Sequence, residues 1–271
     1  MRILFLGDIV GRNAREAIIK HLPDWRKKLN LDLVVANGEN ASHGYGLSPD
    51  IARNLTKVGV DVVTLGNHAW DRRDLMGQIS QMPNVIRPIN YPSGTPGQGS
   101  YIVELTRGRR ALVINVMGRI FMDPLDDPFR VVSELLSKHR LGTTVNAIVL
   151  DVHAEATSEK MGMGHYFDGK VSLIIGTHTH VPTADHRILP QGTAYQTDAG
   201  MCGAYDSVIG MGKEASLHKL IRKIPGERPH PAEGEPTICG LMVETDDSTG
   251  LALRVAPFRY GGDLLPNWPD L

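Results

Sequence analysis

Two packed β-sheets with helices outside them, an α/β fold, follow from three features of the sequence. Short runs rich in Val, Ile and Leu recur at 2–6, 32–36, 60–65, 111–116, 147–152 and 171–175, each bounded by Gly or polar residues. These are the marks of strands buried on both faces. Helix-like stretches lie between several of them, at 13–29, 48–58, 71–82 and 128–139. Such alternation predicts parallel segments joined by right-handed crossovers. Further strand-like runs in the C-terminal third predict a second, largely antiparallel sheet packed on the first.

Taken along the chain, Arg2–Leu6 enters a strand at once, and 13–29 returns as the first helix. The second helix has the clearest start, with Ser48 as N-cap and Pro49 at the first helical position. From Asn84 the rhythm changes: Pro88, Pro92 and Pro96 lead into the runs 101–106 and 111–116 around Arg107-Gly108-Arg109-Arg110, which predict a β-hairpin with a charged, exposed turn. Strands are expected again near 193–197, 237–245 and 251–260. The stretch 225–236, rich in Pro, Gly and Glu, reads as a surface loop.

At 271 residues the chain suits one large domain spanning 1–271. Lys plus Arg total 29 and Asp plus Glu 30, a formal net charge of −1, so no whole-molecule attraction to nucleic acid or to an anionic membrane is available. A stable nucleic-acid complex is not expected, and any phosphate recognition is local. No apolar run approaches the roughly 20 residues that span a bilayer. The N-terminus lacks a signal-peptide layout, and the expected location is the cytoplasm. The two cysteines, Cys202 and Cys239, are too few for a disulfide framework or a thiolate metal site. Self-association is left open by the sequence.

Polar residues fall in a regular place relative to the apolar runs. Leu4-Phe5-Leu6-Gly7 ends in Asp8; the run to Ala36-Asn37-Gly38 ends in Glu39-Asn40; Val62-Val63-Thr64-Leu65-Gly66 ends in Asn67-His68; Ile148 to Val152 ends in His153; and Leu173 to Thr177 ends in His178-Thr179-His180. Five strands thus deliver polar groups at their C-terminal ends, where open α/β sheets bind ligands. Singly, each reads as a turn former or a satisfied histidine. Together they supply carboxylate, amide and imidazole groups, a mixture suited to Mn, Fe or Zn rather than Ca. His178 and His180, two apart, project to one side of an extended chain, and Thr179 points away. Glu39, with two oxygens to share, suits a bridge between two cations, which together activate a water and clamp an in-line displacement at phosphorus. His68, placed by a turn beside them, suits the proton donor to a departing alkoxide.

This ordered set resembles the calcineurin-like metallophosphoesterase superfamily. The resemblance rests on the strand-ending Asp8, on Gly66-Asn67-His68, on the lone His153 and on Gly176-Thr177-His178-Thr179-His180, which has one residue more than the usual Gly-His-x-His. Gly7-Asp8-Ile9-Val10-Gly11, Asn37-Gly38-Glu39-Asn40 and Thr197-Asp198-Ala199-Gly200-Met201 are most similar to its YmdB-like bacterial branch. Two departures are specific: Val10 stands where the superfamily has a histidine, and Glu39-Asn40 replaces an Asp-based motif. The resemblance implies a four-layer α/β/β/α sandwich and two divalent metal ions, iron or manganese. It implies that Asp8 and His180 hold one ion, that Asn67, His153 and His178 hold the other, that Glu39 bridges, that Asn40 takes the missing histidine's place, and that His68 is the proton donor. It further implies hydrolysis of small phosphodiesters, 2′,3′-cyclic nucleotides foremost, by a metal-activated hydroxide. A phosphomonoesterase, an RNA nuclease, or a non-catalytic metal-dependent nucleotide sensor are the alternatives.

Some residues carry two readings. His43 and His165 are candidate substrate contacts and equally solvated histidines. Asp198 is either a turn carboxylate or an orienting partner for a ligating histidine. Trp70 either stacks on a base or packs.

Overall fold

The computed structural model describes residues 1–224 and 226–270. Strand β1 (Arg2–Leu6) passes through Gly7 to the two-residue β2 (Asp8–Ile9) and helix α1 (Gly11–Lys28). There follow β3 (Leu33–Asn37), α2 (Pro49–Lys57), β4 (Val62–Thr64), the single turn α3 (Arg73–Met76) and β5 (Val85–Ile86). The hairpin strands β6 (Ser100–Glu104) and β7 (Arg110–Met117) precede α4 (Pro128–Leu136), β8 (Ala147–His153), α5 (Thr157–Tyr166) and β9 (Leu173–Thr177). The chain ends with β10 (Arg187–Ile188), β11 (Ala194–Gln196), β12 (Met201–Gly203), α6 (Lys213–Arg222), β13 (Thr237–Thr245) and β14 (Ala252–Tyr260).

One sheet runs β2-β12-β13-β1-β3-β4-β5, with β14 paired to the long β13; the other runs β10-β11-β9-β8-β7-β6. Strands β1, β3, β4 and β5 are mutually parallel, as are β7, β8, β9 and β11. The sheets therefore divide differently from the sequence expectation. The C-terminal strands β13 and β14 join the first sheet as antiparallel partners of β1 and of each other. The apolar runs at 111–116, 147–152 and 171–175 instead form the parallel centre of the second. A Val-Ile run buried on both faces carries no mark of which sheet it joins.

Period-2 alternation accounts for the layers. Ile3 and Phe5 of β1, Leu33 and Val35 of β3, Ala147 and Val149 of β8, and Leu173 and Ile175 of β9 share the core between the sheets. The intervening Leu4, Leu6, Val34 and Ala36 pack under α1 and α2, and Ile148, Leu150 and Ile174 pack with Met163 of α5 and Val132 of α4. Four layers, helix, sheet, sheet, helix, result. Among the described residues no helix is long and apolar enough to cross a membrane.

Local departures have local causes. Ser48 Oγ accepts the Ile51 N–H at 3.4 Å, capping α2 as expected. The helix expected at 71–82 shrinks to Arg73–Met76 and a 3-10 turn at Ile79–Gln81, because Arg72 supplies no side-chain cap and Gly77 ends the turn. Helix α5 is absent from the sequence expectation because its apolar residues show no helical period. Arg109 does not sit in an exposed turn: it pairs with Asp32 at 2.5 Å and with Asp247 at 3.5 Å. Cys202 and Cys239 are buried and free, and Trp70 packs toward Tyr91. Within the loop expected at 225–236, Pro225 lies outside the described residues.

Phe5, fully buried between the sheets, is a direct probe of their packing. Replacing it with Ala removes a ring from a dry interface and is expected to cost about 3–5 kcal/mol in urea unfolding; a cost below about 1 kcal/mol would contradict the packing described.

Candidate active site

Both sheets present their C-terminal strand ends at one edge. Asp8 lies in β2, Glu39 and Asn40 in the turn after β3, Asn67 and His68 in the turn after β4, His153 at the end of β8, and His178 and His180 in the bends after β9. The parity that puts Ala147 and Val149 between the sheets carries on through Asp151 to His153. The strand that builds the core thus delivers its last side chain into the cleft.

The centre of the cluster is crowded with ring nitrogens and carbonyl-type oxygens. His153 Nε2 lies 3.0 Å from Glu39 Oε1, 2.8 Å from Asn67 Oδ1 and 3.1 Å from His178 Nδ1. Glu39, His153 and His178 place their ligand atoms within 4.8 Å of one another. Gly66 makes the approach possible, since a Cβ there would fall 2.3 Å from His153 Nε2 and 2.5 Å from Glu39 Oε2. On the other side, Asn40 Nδ2 is 3.2 Å and Asp8 Oδ1 3.7 Å from His180 Nε2. Asp8 Oδ2 accepts the His178 backbone N–H at 3.2 Å, whereas its fully buried Oδ1 has no hydrogen-bond partner among the described residues.

Charges follow from this crowding. Burial alone would raise Glu39, but the His153 imidazole and the neighbouring His68 outweigh it and hold the carboxyl down at about 2. Burial alone would lower His153, but Glu39, with Asp8 and Asp151 behind it, holds it up at about 9. His178 is pushed down to about 3 by burial and by its cationic neighbour His153. Burial pushes the Asp8 carboxyl up against the pull of His180 and His153.

His68 stands at the side. Its backbone N–H donates to Glu39 Oε2 at 2.9 Å, and its ring Nδ1 lies 2.8 Å from Asp71 Oδ2. Asp71 accepts the Nδ1 proton, so Nε2 is the ring atom left to exchange a proton with a bound molecule. Tyr45 meets the same ring edge-on, with centroids 5.5 Å apart.

The spacing of His178 and His180 works differently from the extended geometry expected. Strand β9 ends at Thr177, and φ is +95° at His178 and +65° at His180. Thr179 does point away, toward Asp198. His43 is exposed and lines a surface groove with Arg12, Asn13 and Glu16. His165 is exposed on α5, whose buried face is carried by Glu159, Lys160, Met163 and Gly164.

Four supporting residues escape a reading of the sequence. Thr177 Oγ1 donates to buried Asp151 at 2.7 Å and faces His153 Nδ1 at 2.8 Å. With its proton committed to Asp151, the hydroxyl accepts the Nδ1–H of His153, so that when the ring gives up a proton it is Nε2 that presents a lone pair to the cluster. Burial raises Asp151 to about 7. A lone carboxylate two residues before His153 in an apolar strand is the available signal. Glu155 Oε2 lies 3.2 Å from His178 Nε2, and Lys160, 1% exposed, pairs with Asp198 at 2.8 Å.

Do these residues fit a metal? Asp8 Oδ1 is buried and orphaned, and Glu39 Oε1, Asn67 Oδ1 and His178 Nδ1 crowd around His153 Nε2. A cation is the species that such a donor set accommodates. The mixture of carboxylate, amide and imidazole fits divalent transition metals.

Comparison with known proteins agrees with the fold. A solved structure of a hypothetical protein from Thermus thermophilus superposes with a TM-score of 0.90 at 43% identity, covering 97% of this chain and 100% of that one. A structure described as a novel phosphatase from Mycoplasma pneumoniae gives a TM-score of 0.89 at 34% identity, covering 97% of this chain and 94% of that one. A protein of Bacillus subtilis (strain 168) named 2′,3′-cyclic-nucleotide 2′-phosphodiesterase is 44% identical over 263 residues, 97% of this chain and 98% of its own length. Residues 4–258 match the sequence profile of the YmdB-like proteins. The chain belongs to the YmdB-like family, within the metallophosphoesterase type of fold.

Proposed function

We propose that the chain is a phosphodiesterase dependent on two divalent metal ions, iron or manganese, and that it hydrolyses small diesters such as 2′,3′-cyclic nucleotides. The observation that carries this is the convergence of Asp8, Glu39, Asn40, Asn67, His153, His178 and His180 on one cleft with His68 beside it. The name of the Bacillus relative supports the substrate class. Asp8 and His180 would hold one ion and Asn67, His153 and His178 the other, with Glu39 between them and Asn40 completing the shell. When bound, the pair supplies Lewis acidity at the phosphoryl oxygens and lowers the pKa of a water.

The protein's own part is positioning and proton transfer. Thr177 holds His153 in the tautomer that leaves Nε2 free, and Glu39 ties the turn after β4 through the His68 N–H. Opening a cyclic diester adds the hydroxyl of water to phosphorus and leaves a ribose alkoxide, a poor leaving group unless protonated. His68, held on Asp71 through Nδ1, donates that proton from Nε2. The product is a nucleoside monophosphate.

Replacing His68 with Ala is expected to lower kcat on a 2′,3′-cyclic nucleotide by about 10²–10⁴ while metal content, measured by elemental analysis, is retained. A wild-type rate at full metal content would remove His68 from the chemistry. Hydrolysis of a nucleoside monophosphate or an oligoribonucleotide in preference to the cyclic diester would move the assignment to a phosphatase or a nuclease.

Metal uptake is expected to be pH-linked. His153 at about 9 carries a proton at neutral pH, and a ligating imidazole must give it up. Manganese binding near neutral pH should therefore release close to one proton from His153, and affinity should climb with pH until about 9, then level. Glu39, at about 2, is already ionised across this range and adds no slope. Calorimetric titration in two buffers of different ionisation enthalpy measures the release; none at neutral pH would contradict the assignment.

A further inference from the structure

Left-handed backbone at two histidines separated by a single residue is strained geometry, sparsely populated by residues with a side chain. Something must hold His178 at φ +95° and His180 at φ +65°. The residue between them shows what. Thr179 donates twice to one oxygen of Asp198, from its backbone N–H at 3.2 Å and from its hydroxyl at 2.6 Å. Lys160 Nζ donates to the same oxygen at 2.8 Å and approaches the Thr179 hydroxyl at 3.4 Å.

The other oxygen of Asp198 reaches the opposite side of the cleft. It accepts the Gly200 N–H at 2.8 Å, and the Gly200 carbonyl in turn accepts the Asp8 N–H at 3.2 Å. Met201 N–H donates to the His180 carbonyl at 3.1 Å, closing the loop. One carboxylate thus ties together the segments that present Asp8, His178 and His180. The arrangement is fully internal: Asp198 is 0% and Lys160 1% exposed. The Lys160 stem passes directly over Gly176, where a Cβ would lie 2.8 Å from Lys160 Cδ and 1.8 Å from the Thr197 carbonyl oxygen. Taking an ammonium and a carboxylate out of water is costly, and an apolar pair of similar volume would pack as well. A structural ion pair alone leaves the double grip on Thr179 without a purpose.

We propose that the buried Lys160–Asp198 pair is a positioning clamp, acting through Thr179 and Gly200 to fix His178, His180 and Asp8 in the one arrangement that a metal accepts. Its effect on backbone geometry stands on the contacts alone; its effect on metal affinity rests on the function proposed above. Lys160, Asp198 and Thr179 do not themselves touch the reacting atoms.

Thr179→Val removes the hydroxyl while leaving the ion pair and the side-chain shape in place, and Thr179→Ser restores the hydroxyl. Both are made in the full chain, with thermal unfolding of the metal-free protein as the check on folding. Calorimetric titration with Mn²⁺ should show affinity about 10–100-fold weaker for Thr179→Val, and within about threefold of the parent for Thr179→Ser. In the metal-free state, imidazole nitrogen spectra should show His178 and His180 shifted in Thr179→Val and restored in Thr179→Ser. Parent-like affinity and spectra in Thr179→Val would overturn the clamp, as would equal impairment in Thr179→Ser. Should the parent itself take up no Mn²⁺, the metal reading fails separately, and the metal-free spectra decide the clamp by the same criterion.

Discussion

The contact between the Glu39 carboxylate and the His153 imidazole, 3.0 Å across the mouth of the cleft, joins the two sheets at their C-terminal edges. Much else depends on it. Glu39 comes from the turn after β3 of the first sheet and His153 from the end of β8 in the second, so the contact exists only if the sheets pack face to face in a fixed register. The apolar ladder of Phe5, Val35, Val149 and Ile175 sets that register. Where the ladder gives way to Asn37, Asn115, Asp151 and Thr177, all fully buried, the core changes from dry packing to a bonded polar network, and the cleft begins.

That network has to be satisfied before anything binds, because buried polar groups without partners are expensive. Thr177 serves Asp151 and His153 at once, and Asn37 and Asn115 approach the same Asp151 carboxylate at 3.4 Å and 3.3 Å. Asp8 Oδ1, in the cleft, and Asn115 Oδ1 and Thr64 Oγ1, behind it, are buried without a partner among the described residues. The crowding of Glu39 Oε1, Asn67 Oδ1 and His178 Nδ1 around His153, with Asp8 Oδ1 unpartnered beside them, is suited to a cation.

Much of this is legible in the sequence, for identifiable reasons. Strand-ending polar residues show where a sheet edge lies, and five such endings in one chain place Asp8, Glu39, Asn67, His153 and His178 on one rim without knowledge of the fold. What cannot be read is which sheet each strand joins. Strands buried on both faces look alike, so the sequence points β13 to a second sheet when it pairs with β1. The supporting residues are hidden for a different reason. Lys160 is a charged residue where sequence alone suggests solvent, Asp151 is a carboxylate inside an apolar strand, and their partners lie 38 and 26 residues away. The left-handed bends at His178 and His180 are equally invisible, since neither residue is glycine.

These side chains are proposed to grip a pair of cations at the junction of the two sheets. Crystals grown with Mn²⁺ and measured at the manganese edge test it most directly. Two anomalous peaks are expected against the Glu39 carboxylate, one on the side of Asp8 and His180 and the other on the side of Asn67, His153 and His178. Crystals of fully active protein with no peak inside the cluster would contradict the account.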